Sequence, residues 1–139
     1  MKINFESLKN DVVYNFIADY SYDYDEDSEA NRYIFKIYEK GREEEDSFDF
    51  MLREMENGID LKVIALFADN IYYLGKGISI SIILKAKEIF GKQIISSSNL
   101  RPVTMGENIS ELAISKVWKP LVECGKAKYC KNEHHYYLI

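Results

Sequence analysis

The chain has 139 residues, 47% apolar and 29% charged, with a formal net charge of −5. That composition is the composition of a globular domain with a hydrophobic core. No apolar run approaches the ~20 residues of a membrane span, no signal-peptide pattern opens the chain, and two cysteines make no disulfide framework. The expectation is a single domain in a reducing cytoplasm. Net acidity argues against a simple nucleic-acid binder. The charge is also divided: residues 1–60 carry 17 acidic and 7 basic side chains, residues 61–139 carry 6 and 11. Such a bipolar chain suits a polyanionic ligand on one half and a cationic partner on the other, although charge runs are commonly just solvated.

In chain order, residues 11–20 (DVVYNFIADY) are β-branched and aromatic and read as a strand. Residues 21–31 (SYDYDEDSEAN) are acidic enough to predict a loop or a frayed turn. Residues 32–39 form a second predicted strand, and residues 47–55 a third with Phe48, Phe50 and Leu52 on one face. Asn57-Gly58 is a hairpin signal, and residues 60–69 (DLKVIALFAD) read as a central strand. Residues 1–70 are thus an antiparallel meander with an acidic loop at 21–31.

Residues 71–91 (IYYLGKGISISIILKAKEIFG) change the character of the chain. The reading is an apolar run ending in Gly75 and Gly77, then a helix over 78–90 with Gly91 at its C-cap. A helix that starts from such glycines presents unpaired N–H groups and the positive end of its dipole, which suits an anion. The bland alternative is a strand–helix turn whose glycines serve sterics. A short strand at 92–97, a loop at 99–106 and a second helix at 107–123 follow, with Pro120 kinking that helix or starting a short second piece. Residues 127–130 (AKYC) and 134–139 (HHYYLI) flank Lys131-Asn132-Glu133 and close the chain as a hairpin.

The order of strands, buried strand, Gly-x-Gly loop, helix, strand, helix and hairpin resembles the GNAT superfamily of N-acetyltransferases. The acyl-CoA motif of that family, Arg/Gln-x-x-Gly-x-Gly/Ala, is matched by Tyr72-Tyr73-Leu74-Gly75-Lys76-Gly77. The likeness covers residues 59–139, and the first half fits loosely because the usual two helices after strand one are missing. The resemblance implies an α/β (α+β) fold: a mixed, mostly antiparallel sheet with helices packed on it and a C-terminal hairpin. It implies acetyl-CoA as cofactor, with the N–H groups of Leu74, Gly75, Lys76, Gly77 and Ile78 on the pyrophosphate. Lys76 would add charge, the strand edge at Leu66, Phe67 and Ala68 would pair with the pantetheine arm, and Asn99 would lie nearby. Three positions depart from the pattern. Tyr72 replaces Arg or Gln, Trp118 or Leu121 stands where the family has a general-acid tyrosine, and the fourth strand lacks a Glu base.

Two functions follow from these residues. One is acetyl transfer from acetyl-CoA to an amine of a small molecule or a basic protein, with no catalytic residue named. The other is a catalytically inactive relative that binds a protein through Tyr22, Asp23, Tyr24, Asp25 and Asp27. Its concrete form is a phage or mobile-element inhibitor of a nucleic-acid enzyme such as a CRISPR effector. Cys124, Cys130, His134 and His135 do not have the spacing of a common zinc site, so no metal is expected. The helix before a Lys-bearing hairpin resembles a winged helix, but direct nucleic-acid binding is not the expectation. A homodimer through a sheet edge or the tyrosine-rich faces is open.

Overall fold

The computed structural model describes residues 1–45, 47–68, 71–98 and 108–139. The fold is α+β, built on one mostly antiparallel eight-stranded sheet. Five strands come first: β1 (Lys2–Lys9), β2 (Val12–Asp25), β3 (Ala30–Glu39), β4 (Phe48–Glu54) and β5 (Asp60–Ala68). A 3₁₀ turn (Ile71–Tyr73) leads to α1 (Ile78–Phe90), then β6 (Gln93–Ile95). α2 (Glu111–Ala113) passes through a π-helical turn (Ile114–Trp118) into α3 (Lys119–Glu123), and β7 (Ala127–Cys130) and β8 (His135–Leu138) close the chain. The sheet order is β1-β2-β3-β4-β5-β6-β8-β7, with β5 and β6 parallel.

Alternation decides which side chains are buried. Phe5, Phe16, Ala18, Phe35, Ile37, Phe50, Leu52, Leu61 and Val63 share one face and are buried. α1 covers that face with Ile78, Ile82, Ile83 and Ala86. Its last residue, Phe90, lies 4.2 Å from the Tyr33 ring and 5.7 Å from Tyr20. A bulge keeps the pattern in phase at β5. Met51 pairs with Ala65 and Leu52 with Val63, so Ile64 is the extra residue. Without it, Leu66 and Ala68 would point away from α1.

The structure corrects the expected acidic loop. Tyr22, Asp23, Tyr24 and Asp25 belong to the 14-residue β2, β3 starts at Ala30, and only residues 26–29 form the turn. The cause is local and cross-strand together. Asp23 takes two hydrogen bonds from Arg32, at 2.8 and 3.3 Å, and Tyr22 packs on Tyr33 at 4.8 Å. Asp25 accepts from Ser28 Oγ at 2.8 Å and from the Asp27 N–H, which shapes the turn and holds its carboxyl below the usual range. β1 was not expected, since its buried Ser7 interrupts an otherwise alternating apolar pattern.

Pro120 lies in the first turn of α3, directly after Lys119, and the π turn before it explains how. A proline ring collides with the carbonyl four residues back in an α-helix. Here the Lys119 N–H reaches back to Ile114 O, five residues away, which widens the coil where the ring enters. Trp118 and Leu121 are thereby buried, with Trp118 stacked on Tyr136 at 6.0 Å and 17°.

Candidate functional site

The loop expected to hold an anion begins beyond β5. Tyr73 is buried, and its Oη accepts the Glu39 N–H at 3.1 Å, which fixes the 3₁₀ turn to the end of β3. The Leu74 N–H donates to Ile71 O at 3.0 Å and so is used within the turn. Gly75 and Gly77 both stand at positive φ, +72° and +75°, where a side chain is strained. Their surroundings differ. A Cβ on Gly75 would meet nothing within 4 Å, whereas one on Gly77 would lie 3.1 Å from Leu8 O. Ser7 Oγ also donates to Lys76 O at 2.5 Å. Steric packing against β1 therefore accounts for Gly77, and Gly75 is the glycine beside open space.

Gly77 is the N-cap of α1 and offers no side-chain cap, and the first internal bond runs from the Ser81 N–H to Gly77 O at 3.2 Å. The N–H groups of Ile78, Ser79 and Ile80 thus precede the intrahelical ladder, at the positive end of the dipole. Beside them lies a cationic stack on Tyr72. The Arg42 guanidinium sits 3.7 Å from the ring centroid and the Lys76 ammonium 3.2 Å. The Tyr72 hydroxyl donates to the Glu39 carboxylate, and that bond raises its pKa. Arg42 Nε also lies 2.6 Å from Glu45 Oε2, without the alignment of a hydrogen bond. The sequence reading placed a missing donor at Tyr72. It did not find Arg42, whose position follows β3 and is visible only once that strand is folded against the loop.

Leu66, Phe67 and Ala68 occupy the end of β5 and pair with Phe50, Asp49 and Phe48 on the β4 side. On the other side, β6 pairs only with Asp60, Leu61 and Lys62. The two parallel strands then part. Ser97 Oγ donates to Val63 O at 2.8 Å across the opening, and Ile109 N donates to Ser98 O at 2.9 Å. A cavity of about 120 Å³ lies there, lined by Val63, Leu66, Ser97, Asn108, Ile109 and Trp118 among others. Asn99 lies outside the described residues. The structure thus puts Leu74, Gly75, Lys76 and Gly77 on one loop, Ile78 at the first position of α1, and Leu66 and Ala68 on the strand before the loop. Trp118, at the place of the expected acid, is an indole buried against Tyr136, with no hydroxyl to give a proton.

Tyr22, Asp23, Tyr24, Asp25 and Asp27 form a separate group at the far end of the β2–β3 hairpin. Tyr22 and Tyr24 are 52% and 59% exposed on a paired strand, while Asp23 and Asp25 are engaged with Arg32 and Ser28. An open hollow of about 970 Å³ beside them includes Tyr24, Asp27, Glu29, Arg53 and Glu56. His135 is half-buried, which lowers its pKa, and no group of three metal-ligating side chains occurs among the described residues. No helix of the described residues is long and apolar enough to cross a membrane. Comparison of the chain with protein-family models, with curated proteins and with solved structures finds no match.

Proposed function

We propose that the chain binds an acyl-CoA at the junction of β5, the Gly75–Gly77 loop and α1, and transfers the acyl group to an amine. The observation that carries this reading is the parting of β5 from β6 after Lys62, with the uncapped start of α1 following β5 along the chain. An extended pantetheine arm would add to the edge of β5 near Leu66 and Ala68, which no strand of the described residues pairs on the β6 side, as a short strand. The diphosphate would take the N–H groups of Ile78, Ser79 and Ile80, with Arg42 and Lys76 leaving the Tyr72 ring to reach it. Two cations thus stand in for the motif's missing Arg or Gln. The amine nitrogen attacks the thioester carbonyl, the C–S bond breaks, the thiolate leaves on CoA, and the amine's proton goes to water. Rate enhancement comes from placing the amine against the thioester.

Isothermal titration with acetyl-CoA and with CoA tests this. Micromolar heats are expected, lost in Gly75→Trp and weakened in Arg42→Ala while circular dichroism shows the fold retained. Gly77→Trp is the wrong probe, because its side chain would strike β1. No heat at millimolar ligand removes the acyl-CoA reading.

The second reading, protein binding through the acidic hairpin, is favoured by one observation. Tyr22 and Tyr24 are held exposed on a paired strand, so they present contact area at little entropic cost. Such a partner would be lost in a Tyr22→Ala/Tyr24→Ala pull-down comparison. Asp23 and Asp25 are unsuited to that test, since changing them also breaks the hairpin's own bonds.

A further inference from the structure

β1 is the terminal strand of the sheet, its outer edge is paired by no strand of the described residues, and that edge is regular. It pairs with β2 through all eight residues without a bulge or a proline. Hydrogen bonds between Met1 and Tyr20 run in both directions, Tyr20 N to Met1 O at 2.8 Å and Met1 N to Tyr20 O at 2.7 Å. In an antiparallel ladder that pattern repeats at every second residue. Ile3, Phe5, Ser7 and Lys9 therefore bond inward to β2. Lys2, Asn4, Glu6 and Leu8 turn their N–H and C=O groups outward. Leu8 O is already closed off by Gly77, so the open stretch is Lys2 to Glu6.

Exposed edges are usually blunted by charged side chains, prolines or bulges. The open stretch of this edge carries charges of both signs, Lys2 and Glu6, four residues apart with Asn4 midway, all three exposed. We propose that β1 is the seam of an isologous homodimer, in which two copies pair antiparallel about Asn4. A two-fold axis through Asn4 sets Lys2 opposite the partner's Glu6, Asn4 opposite the partner's Asn4, and Glu6 opposite the partner's Lys2. All three are the outward-bonding residues, so the same register that matches the charges also satisfies the main chain. On the other face it sets Ile3 beside the partner's Phe5. There the edge adjoins an open groove of about 760 Å³ with mixed walls, Phe5, Phe16 and Leu84 beside Lys40, Lys85 and Glu88, which the incoming strand would roof. A register centred on Glu6 opposes two carboxylates. One centred on Phe5 asks Leu8 to bond through the space that Gly77 fills. The register about Asn4 is the one that matches both charges and uses the whole open stretch, and its occupant is a second copy of this chain. Lys2 now shares a hollow with Asp19, Lys36 and Glu43, and it would divide its charge between Glu43 and the partner's Glu6.

The seam is short, well under a standard interface of ~1,600 Å², so the dimer is concentration-dependent. Sedimentation velocity between about 10 and 500 µM tests it, a span suited to so small a contact. The expected mass rises from 16.3 kDa toward twice that value. Lys2→Glu and Glu6→Lys should each weaken association roughly tenfold or more, since each reverses two cross-strand pairs. The combined Lys2→Glu/Glu6→Lys chain should regain the dimer, which no unrelated surface would do. Asn4→Pro removes an outward N–H that β2 does not use, so it should give a folded monomer by circular dichroism. A wild-type chain monomeric at 500 µM overturns the proposal. So does a dimer that persists in Asn4→Pro, or a double reversal that stays monomeric.

Discussion

The two halves of this molecule hold their shape by different means. Residues 1–60 carry net charge −10, and β1 to β4 lie side by side as long antiparallel strands with unbroken register up to the bulge at Ile64. Residues 61–139 carry net +5, and beyond β5 their strands are three or four residues long, so helices and buried rings do the work of ladders. The first half tolerates acidity because its carboxylates stand on strand faces or turns where Arg32, Ser28 and water reach them. The second half has little ladder to spare, and depends on Trp118, Leu121, Ala127 and Leu138 meeting in one place. The lesson is that repeated local pairing can carry unfavourable composition, whereas a region with few pairs needs its large side chains individually.

The comparison is broken most severely at Trp118. Trp118→Ala should lose about 3–5 kcal/mol, a large share of a typical domain's stability, because the ring is 1% exposed and closed in by Tyr136. Urea denaturation followed by far-UV circular dichroism measures it. A second transition in that curve would show the five-stranded half outlasting the other. Ser97→Ala strikes the join between the halves. It removes the buried donor to Val63 O and should cost about 1–3 kcal/mol, again read from urea midpoints. A loss below a few tenths would show that the opening between β5 and β6 needs no tie. Smallest is Arg32→Gln, which gives up a half-exposed ion pair with Asp23 and should cost only about 0.2–1 kcal/mol. Faster amide exchange confined to residues 21–33 is its expected signature. Exchange spreading into β4 would mean that the acidic hairpin supports more of the sheet than its exposure suggests.

Much of this architecture could be read from residue order alone. The helix at 78–90 and its Gly91 cap follow from spacing and length, and Asn57-Gly58 marks the β4–β5 hairpin. The closing hairpin is likewise visible in its apolar ends. The acidic segment was misread because its charge was weighed over its period. Tyr20, Tyr22 and Tyr24 alternate with Ser21, Asp23 and Asp25, which is the two-residue rhythm of a strand. β1 was hidden by Ser7, a polar residue in a buried place, whose partner is the carbonyl of Lys76 some seventy positions on. At the candidate site the Gly-x-Gly loop was legible, yet the reason for each glycine was not. Gly77 answers to Leu8, and Arg42 reaches Tyr72 from the β3 end, and neither relation has a local signal. The π turn before Pro120 is equally silent, since a kink and a widened coil share the same letters.

Trp118 is the single tryptophan among eleven tyrosines, and this gives the molecule a built-in optical division. Excited at the red edge, only the indole absorbs, so its emission reports the region around α3 and the closing hairpin. The tyrosine signal comes mostly from β2, β3 and the neighbouring turn. The indole also forms part of the wall between β5 and Ser97, so a molecule entering there would change its colour or quench it. One cuvette can therefore follow the second half melting and that opening filling, without a label attached to the chain.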